Sequence, residues 1–377
     1  MKNKKVAIVD PLGGHGSSHH YYLFGQALGL KNSGVQVYIY TCDETSLDFQ
    51  QGLVKLYYRN IYSSAPKWLL GIRYLRGTFL SLFHILKNQI PSAHFHLFQV
   101  GILEFFNIFL FKMTGRKVIV TIHDVEAFAK ERSSIRKYLY ALVDEIIVHN
   151  EYSKQELLSK NFSLARKMKV ISHGNYLPFL NKTITIQEAR EKIGISLDKK
   201  VILFFGMIKE VKGLEVLLKA LPKMIAEDDS IRLLIAGKVW KTDFSRYQKL
   251  IDEANMQKYC IVHQHFIPDE EVEMYYMASD LVALPYKKIY QSGVLLMSMS
   301  YETPVLVSDL PPMKEVVEDM ETGFIFESEN ANDLAEKSLL ALSSETKLEE
   351  VKNAALEKLK RVYDWQTIGK QLEKVYR

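Results

Sequence analysis

Leu281–Asp309, LVALPYKKIYQSGVLLMSMSYETPVLVSD, reads as strand, loop, helix and strand. Leu281–Pro285 is a short apolar run closed by proline, Val294–Met299 has apolar residues at helical spacing, and Thr303–Val307 is a β-branched run. This places Gln291-Ser292-Gly293 where the helix begins, beside a strand end. Free N–H groups and the positive end of the helix dipole meet there, and a serine cap next to glycine lets a phosphate approach closely. An ordinary capped helix in a doubly wound domain would carry the same residues.

At 377 residues the chain exceeds one ordinary core, so two domains are expected. Hydrophobic residues at 47% and charged residues at 25% describe a soluble globular protein and exclude disordered or collagen-like classes. The two cysteines, Cys42 and Cys260, lie far apart and in no metal-ligand spacing, which fits a reducing, cytoplasmic compartment. The apolar run after MKNKK is short and ends at Asp10 and Pro11, so it suits a first strand rather than a leader. The stretch Gly101–Met113 falls short of the ~20 residues a spanning helix needs, and no transmembrane segment is expected.

Charge is unevenly distributed. Residues 1–175 hold 22 Lys and Arg against 12 Asp and Glu, and the rest of the chain is mildly acidic. Between Asp48 and Glu104 there is no acidic residue. Lys55, Arg59, Lys67, Arg73, Arg76 and Lys87 alternate there with Tyr57, Tyr58, Tyr62, Trp68, Tyr74, Phe79 and Phe83. Basic and aromatic residues together fit an anionic membrane surface, with peripheral attachment to the inner face, unless the aromatics are simply buried between helices. No nucleic-acid partner is expected.

In chain order, Val6–Val9 is a buried-strand pattern, followed by the glycine-rich turn Pro11–Ser18 and a helix over Tyr21–Lys31. The turn is not a G-x-G-x-x-G fingerprint, so a dinucleotide cofactor is poorly supported and no cofactor is expected. Strands follow at Val35–Thr41, His94–Gln99, Lys117–Ile122, Glu145–His149 and Lys169–Ile171. After a weaker pattern they resume at Val201–Phe205, Arg232–Ala236, Cys260–His263, Leu281–Leu284, Pro304–Val307 and Gly323–Phe326. The fold class is α/β: two tandem doubly wound Rossmann-like domains facing a cleft. The expected boundaries are 1–178 for the first domain, 179–198 for a linker and 199–360 for the second domain. The helix 361–377 is expected to pack back on the first domain.

GMIKEVKG (Gly206–Gly213), LLIAG (Leu233–Gly237), ASDLVALP (Ala278–Pro285) and TPVLVSDLPPMKEVVEDMETG (Thr303–Gly323) together resemble the GT-B glycosyltransferases of family 4, also called group 1. Thr121-Ile122-His123-Asp124 and Ser172-His173-Gly174 add to the likeness in the first domain. The family's G-R-x-x-x-x-K-G loop, whose cations grip a diphosphate, is matched only at Lys212. Met207 stands at the arginine position, and Lys209 either supplies the second charge or lies in a solvated loop. The family's glutamate pair falls at Ile289 and Met297, and neither can accept a hydrogen bond from a hydroxyl. Gln291-Ser292-Gly293 resembles a branch in which that triplet takes the diphosphate on backbone amides.

The resemblance implies His123 as the catalytic residue, donating to the sugar or positioning the acceptor, with a core histidine as the alternative. It also implies Gly14, Lys209, Lys212, Gln291, Ser292 and Gly293 at the donor, and Gly13, His15 and His173 at the acceptor. No metal is expected. The activity so implied is retaining transfer of a sugar from a nucleotide diphosphate-sugar to a glycan or lipid-linked acceptor, in polysaccharide or glycoconjugate synthesis. The alternatives are a non-catalytic subunit bound to a partner transferase, and a sugar-nucleotide epimerase or phosphorylase.

Overall fold

The computed structural model describes residues 4–15, 19–48, 50–125, 134–180, 182–241 and 243–377. Gly16, Ser17 and Ser18 of the expected first turn lie outside the described residues. The chain forms two units, the first Met1–Gly174 with Tyr363–Arg377 and the second Asn175–Val362. Residues 179–198, expected to be a linker, belong to the second unit. They contain the helix Ile186–Ile193, started by a Thr185–Glu188 capping box and stopped by left-handed Gly194.

Unit 1 is a seven-stranded parallel sheet of β1 (Lys4–Asp10), β2 (Val35–Cys42), β3 (Leu53–Tyr58), β4 (Ser92–Leu97), β5 (Lys117–Ile122), β6 (Glu145–Val148) and β7 (Met168–Val170), ordered β3-β2-β1-β4-β5-β6-β7. Val6, Ala7, Ile8 and Val9 are fully buried, as a central parallel strand requires. The C-terminal helix Trp365–Tyr376 belongs to this unit and packs on the helix His19–Asn32. A side chain at Gly25 or Gly174 would stand 2.1 or 2.2 Å from the Trp365 ring, so both glycines are there to admit it.

Among the elements of unit 1 that the sequence pattern does not assign, an edge strand and a helix bear on its surface. β3 is an edge strand with mixed exposure, and the helix Lys67–Lys87 packs against it. The basic and aromatic stretch therefore divides. Tyr58 and Tyr74 are core residues, whereas Trp68, Phe79 and Phe83 are exposed. At 21 residues this helix is long and apolar enough to cross a membrane by length and composition, contrary to the expectation that no segment would be. Its inner face, however, is committed to the sheet.

Unit 2 is a six-stranded parallel sheet of β8 (Lys200–Phe205), β9 (Ile231–Ala236), β10 (Cys260–His263), β11 (Leu281–Leu284), β12 (Val305–Ser308) and β13 (Phe324–Phe326), ordered β10-β9-β8-β11-β12-β13. Ile202, Phe204, Leu217, Leu233, Ile235, Leu306 and Phe324 form its core. Strand order reverses beside β1 in the first sheet and beside β8 in the second. Loops leaving the carboxyl ends there part to opposite faces and open a ligand site. Gly13 and Gly14 of the first turn pack on the end of β2 and the loop after it, and GMIKEVKG lies next to the loop that follows β11.

Candidate active site

In unit 2, Gly213 holds a left-handed backbone (φ +67°), and a Cβ on it would stand 1.9 Å from the Pro285 carbonyl oxygen. Lys287 N–H donates to the Val211 carbonyl at 2.9 Å. The loop after β8 is therefore clamped to the loop after β11, which Leu281–Asp309 was expected to supply. Ser292 is the N-cap of the helix Gly293–Ser300, its Oγ accepting from Leu295 N–H at 3.1 Å. Gln291 Nε2 is buried with no hydrogen-bond partner among the described residues. Donors and the positive helix end thus converge on one loop.

The lysines here differ in what surrounds them. Lys287 is paired with Glu215, which also lies 3.5 Å from Arg246. Lys212 Nζ lies 3.7 Å over the Tyr286 ring and makes no ion pair with a described residue. Lys209 Nζ is 5.4 Å from the Trp240 ring. Lys212 is thus held in place by an aromatic face that leaves its charge uncompensated. Met297 is buried in the helix and Ile289 half-buried in the loop, so no carboxylate stands at either position.

In unit 1 the strand ends carry histidines. His96 lies in β4, His123 follows β5, His149 follows β6, and His173 lies three residues past β7. Asp10 ends β1 and contacts His19 Nε2 at 3.0 Å in the first turn of the next helix. Tyr22 packs its ring among His96, His123, His149 and His173.

The hydrogen bonds fix where the protons are. His149 Nδ1 is 3.1 Å from the Ile171 carbonyl, which can only accept, so Nδ1 carries hydrogen. Burial keeps this ring neutral, its pKa lowered to about 4, so His149 Nε2 accepts from His123 Nδ1–H at 3.2 Å. Burial and the surrounding histidines hold His123 well below its ordinary value, leaving its Nε2 to accept from His96 Nδ1–H at 2.9 Å. His96 is likewise neutral, chiefly by burial, and its bare Nε2 stands 2.9 Å from the Gln26 amide. Gln26 satisfies it by presenting NH2 there, the isosteric exchange of Oε1, which leaves its oxygen for His94 Nδ1 and the Tyr376 hydroxyl. The opposite amide orientation would require four protons on three rings, a buried cation that desolvation opposes.

Both ring nitrogens of His123 are therefore engaged. Its Nδ1–H is directed at His149 and its Nε2 at His96. His173 is buried in the same cluster, with Nδ1 2.7 Å from the Gly174 carbonyl. Gly13 (φ +54°) would meet Thr45 Oγ1 at 2.0 Å if it carried a side chain, and Gly14 N–H donates to that same oxygen at 3.2 Å. Packing thus accounts for both glycines. His15 is half-exposed, stacked 3.7 Å from the Tyr62 ring and 2.5 Å from Glu44 Oε2. The facing nitrogens of His19, His96 and His123 lie within 4.8 Å of one another, and a hydrogen bond joins His96 to His123.

His19, Gln26, Tyr22 and His149 were not read as parts of this cluster. A signal existed: His96, His123 and His149 lie 27 and 26 residues apart, about one strand-helix unit each.

Comparison with known proteins bears on both units. Residues 185–358 match the family model "Glycosyl transferases group 1", and residues 20–175 match "Glycosyltransferase Family 4". Spore coat protein SA of Bacillus subtilis is 26% identical over 275 residues, covering 68% of this chain and 71% of that protein. A D-inositol 3-phosphate glycosyltransferase of Corynebacterium aurimucosum is 24% identical, and the match spans 62% of this chain and 56% of the relative. A glycosyltransferase from Rickettsia africae superposes with a TM-score of 0.77 at 19% identity, over 100% of this chain and 98% of that one. Anabaena HepE in complex with UDP-glucose gives 0.73 at 15% identity over 98% of both chains. Two parallel-sheet α/β units, each furnished at its switch point, and two matched family models spanning most of the sequence place this chain among the group 1, family 4 glycosyltransferases of GT-B fold.

Proposed function

We propose that this protein transfers a sugar from a nucleotide diphosphate-sugar to a glycan or lipid-linked acceptor, with retention at the anomeric carbon, in polysaccharide or glycoconjugate synthesis. The observation that carries this reading is the uncompensated Lys212 ammonium in a loop clamped to the one bearing Gln291, Ser292 and Gly293. A cation, a capped helix start and an unpartnered amide donor suit a diphosphate. The donor's C1–O bond to the terminal phosphate breaks, the acceptor hydroxyl oxygen bonds to C1 and loses its proton, and the nucleoside diphosphate departs. Charge grows on that leaving group, and fixed donors stabilise it without reorganising. UDP and UDP-glucose in the structures of Anabaena HepE support such a donor. The donor is a substrate, and the proposed chemistry uses no resident cofactor.

Ile289 and Met297, where the family carries carboxylates, favour a second reading in which the chain binds a nucleotide-sugar as a non-catalytic subunit. Thermal shift across a panel of UDP-, GDP- and ADP-sugars, followed by assay of nucleoside diphosphate release, separates the two. A ligand at 100 times its dissociation constant adds about 2.7 kcal/mol of stability. Stabilisation with release supports transfer, and NMR of the product's anomeric proton tests retention. Stabilisation without release under any acceptor supports the subunit, and no stabilisation by any donor removes the donor site.

A further inference from the structure

We infer that the outer face of the helix Lys67–Lys87 docks unit 1 on an anionic phospholipid bilayer. The inner face of this helix, with Tyr74, Gly77, Thr78, Ser81 and Ile85, is buried against the sheet. A Cβ on Gly77 would stand 2.6 Å from the Tyr58 ring, so the helix cannot draw away without unpacking the edge of the domain. Water should then meet the polar side of an amphipathic helix. The reverse is found: Trp68, Ile72, Phe79, Phe83 and Leu86 are 68, 54, 53, 66 and 42% exposed. At about 100° per residue these five fall within an arc of about 60°. The adjoining helix Ile102–Met113 also exposes Ile102 and Met113. An apolar stripe of this size on a soluble unit marks an interaction surface.

Its chemistry selects the occupant. Exposed Lys67, Arg76 and Lys87 lie along the same helix, Lys55 and Arg59 are exposed on the neighbouring strand and turn, and the sequence has no acidic residue between Asp48 and Glu104. Such a surface matches the anionic headgroups of a bilayer, while tryptophan and phenylalanine lodge at the headgroup boundary. The helix has the length and hydropathy to span a membrane, but its inner face is committed to the sheet, which makes it an interfacial helix lying on the surface. Arg73 is half-buried, its guanidinium donating to the Asn60 carbonyl and to Ser63 Oγ, so the test uses the exposed Arg76 and Lys87.

Co-sedimentation with phosphatidylcholine vesicles, with and without phosphatidylglycerol, at low and high salt tests this independently of any sugar transfer. The protein is expected to pellet with the anionic vesicles and to be released by salt. Partitioning should weaken at least tenfold both in W68S/F79S/F83S and in R76E/K87E, since two charges each worth about a factor of five act there. Unchanged melting temperatures would confirm that both variants fold. A protein that stays in the supernatant, or pellets equally well as either variant, overturns the proposal. So does a concentration-dependent dimer in sedimentation velocity that W68S/F79S/F83S abolishes, because the face would then belong to a second copy of the chain.

Discussion

Around the carboxyl ends of β1, β4, β5 and β6, unit 1 gathers buried, neutral imidazoles joined in a directional chain of hydrogen bonds. At the ends of β8 and β11, unit 2 offers a lysine without a counter-ion among the described residues, a helix start and backbone amides. Both sets stand at the same kind of topological switch point, yet they answer to different variables. The imidazole chain couples to pH and to folding, because every proton in it is assigned by a neighbour. The proposed lysine site would couple to a ligand, because no described residue satisfies its charge. Changes in unit 1 should therefore appear in stability and in proton transfer, and changes in unit 2 in affinity.

Acidification should separate the two units most strongly. His94 and His149 are held by burial at about 3 and about 4, below the ordinary 6.5. Below pH 6.5 the unfolded chain takes up these protons and the folded unit does not, so stability falls with pH until the folded values are reached. For these two groups the loss between pH 7 and pH 5 is about 4 kcal/mol together. In unit 2 the depressed carboxylates, such as Asp228 at about 2, favour folding above their unfolded range and lose that contribution only below about pH 4. Calorimetry with hydrogen exchange should find unit 1 melting first at pH 5. Parallel losses in both units would break the contrast.

His123→Ala comes next. Turnover should fall by about two orders of magnitude, within the range for a positioned acid or base. Unlike a surface change, it also leaves His96 Nδ1–H and His149 Nε2 without partners, so a loss of about 1–3 kcal/mol should accompany it. His149→Phe sharpens the point. It preserves a ring but removes the acceptor that holds the proton on His123 Nδ1, and should shift the pH profile of turnover while leaving donor affinity unchanged. An unaltered profile would mean that His149 only fills space.

The same contrast explains what the sequence disclosed. Unit 2's site is written in contiguous loops: GMIKEVKG supplies Lys212 and Gly213, and Gln291-Ser292-Gly293 opens a helix, so loop chemistry and local periodicity suffice to find it. Unit 1's site is assembled from single residues at the ends of separate strands, and only the sheet order brings His19, His96, His123 and His149 together. That order depends on long-range pairing that no local pattern reports. The helix Lys67–Lys87 was missed for another reason: its apolar stripe faces outward, so the periodicity that ordinarily marks a core face marks the exposed one. The supposed linker at 179–198 shows a weaker pattern because its helix Ile186–Ile193 is short and mostly exposed, and capping defines it more than burial does.

The smallest predicted effect is also the most specific test of unit 2. Lys212 is held by the Tyr286 ring, a contact worth about 0.5–1 kcal/mol at an exposed site, so Lys212→Ala should leave stability within about 1 kcal/mol of the parent. A charge-assisted bond to a diphosphate is worth about 1.5–3 kcal/mol, so the same substitution should raise the donor dissociation constant at least tenfold. Lys287 provides the control. Its ammonium is already neutralised by Glu215, which is mostly buried, so Lys287→Ala should cost stability and leave affinity little changed. Titration calorimetry with nucleoside diphosphate, run beside thermal melts of both variants, reads the four quantities. The expected pattern is crossed: affinity lost without stability at Lys212, stability lost without affinity at Lys287. If Lys212→Ala binds as the parent does, its ammonium belongs to the Tyr286 contact alone, and the anion site reduces to the helix start at Ser292 and Gly293.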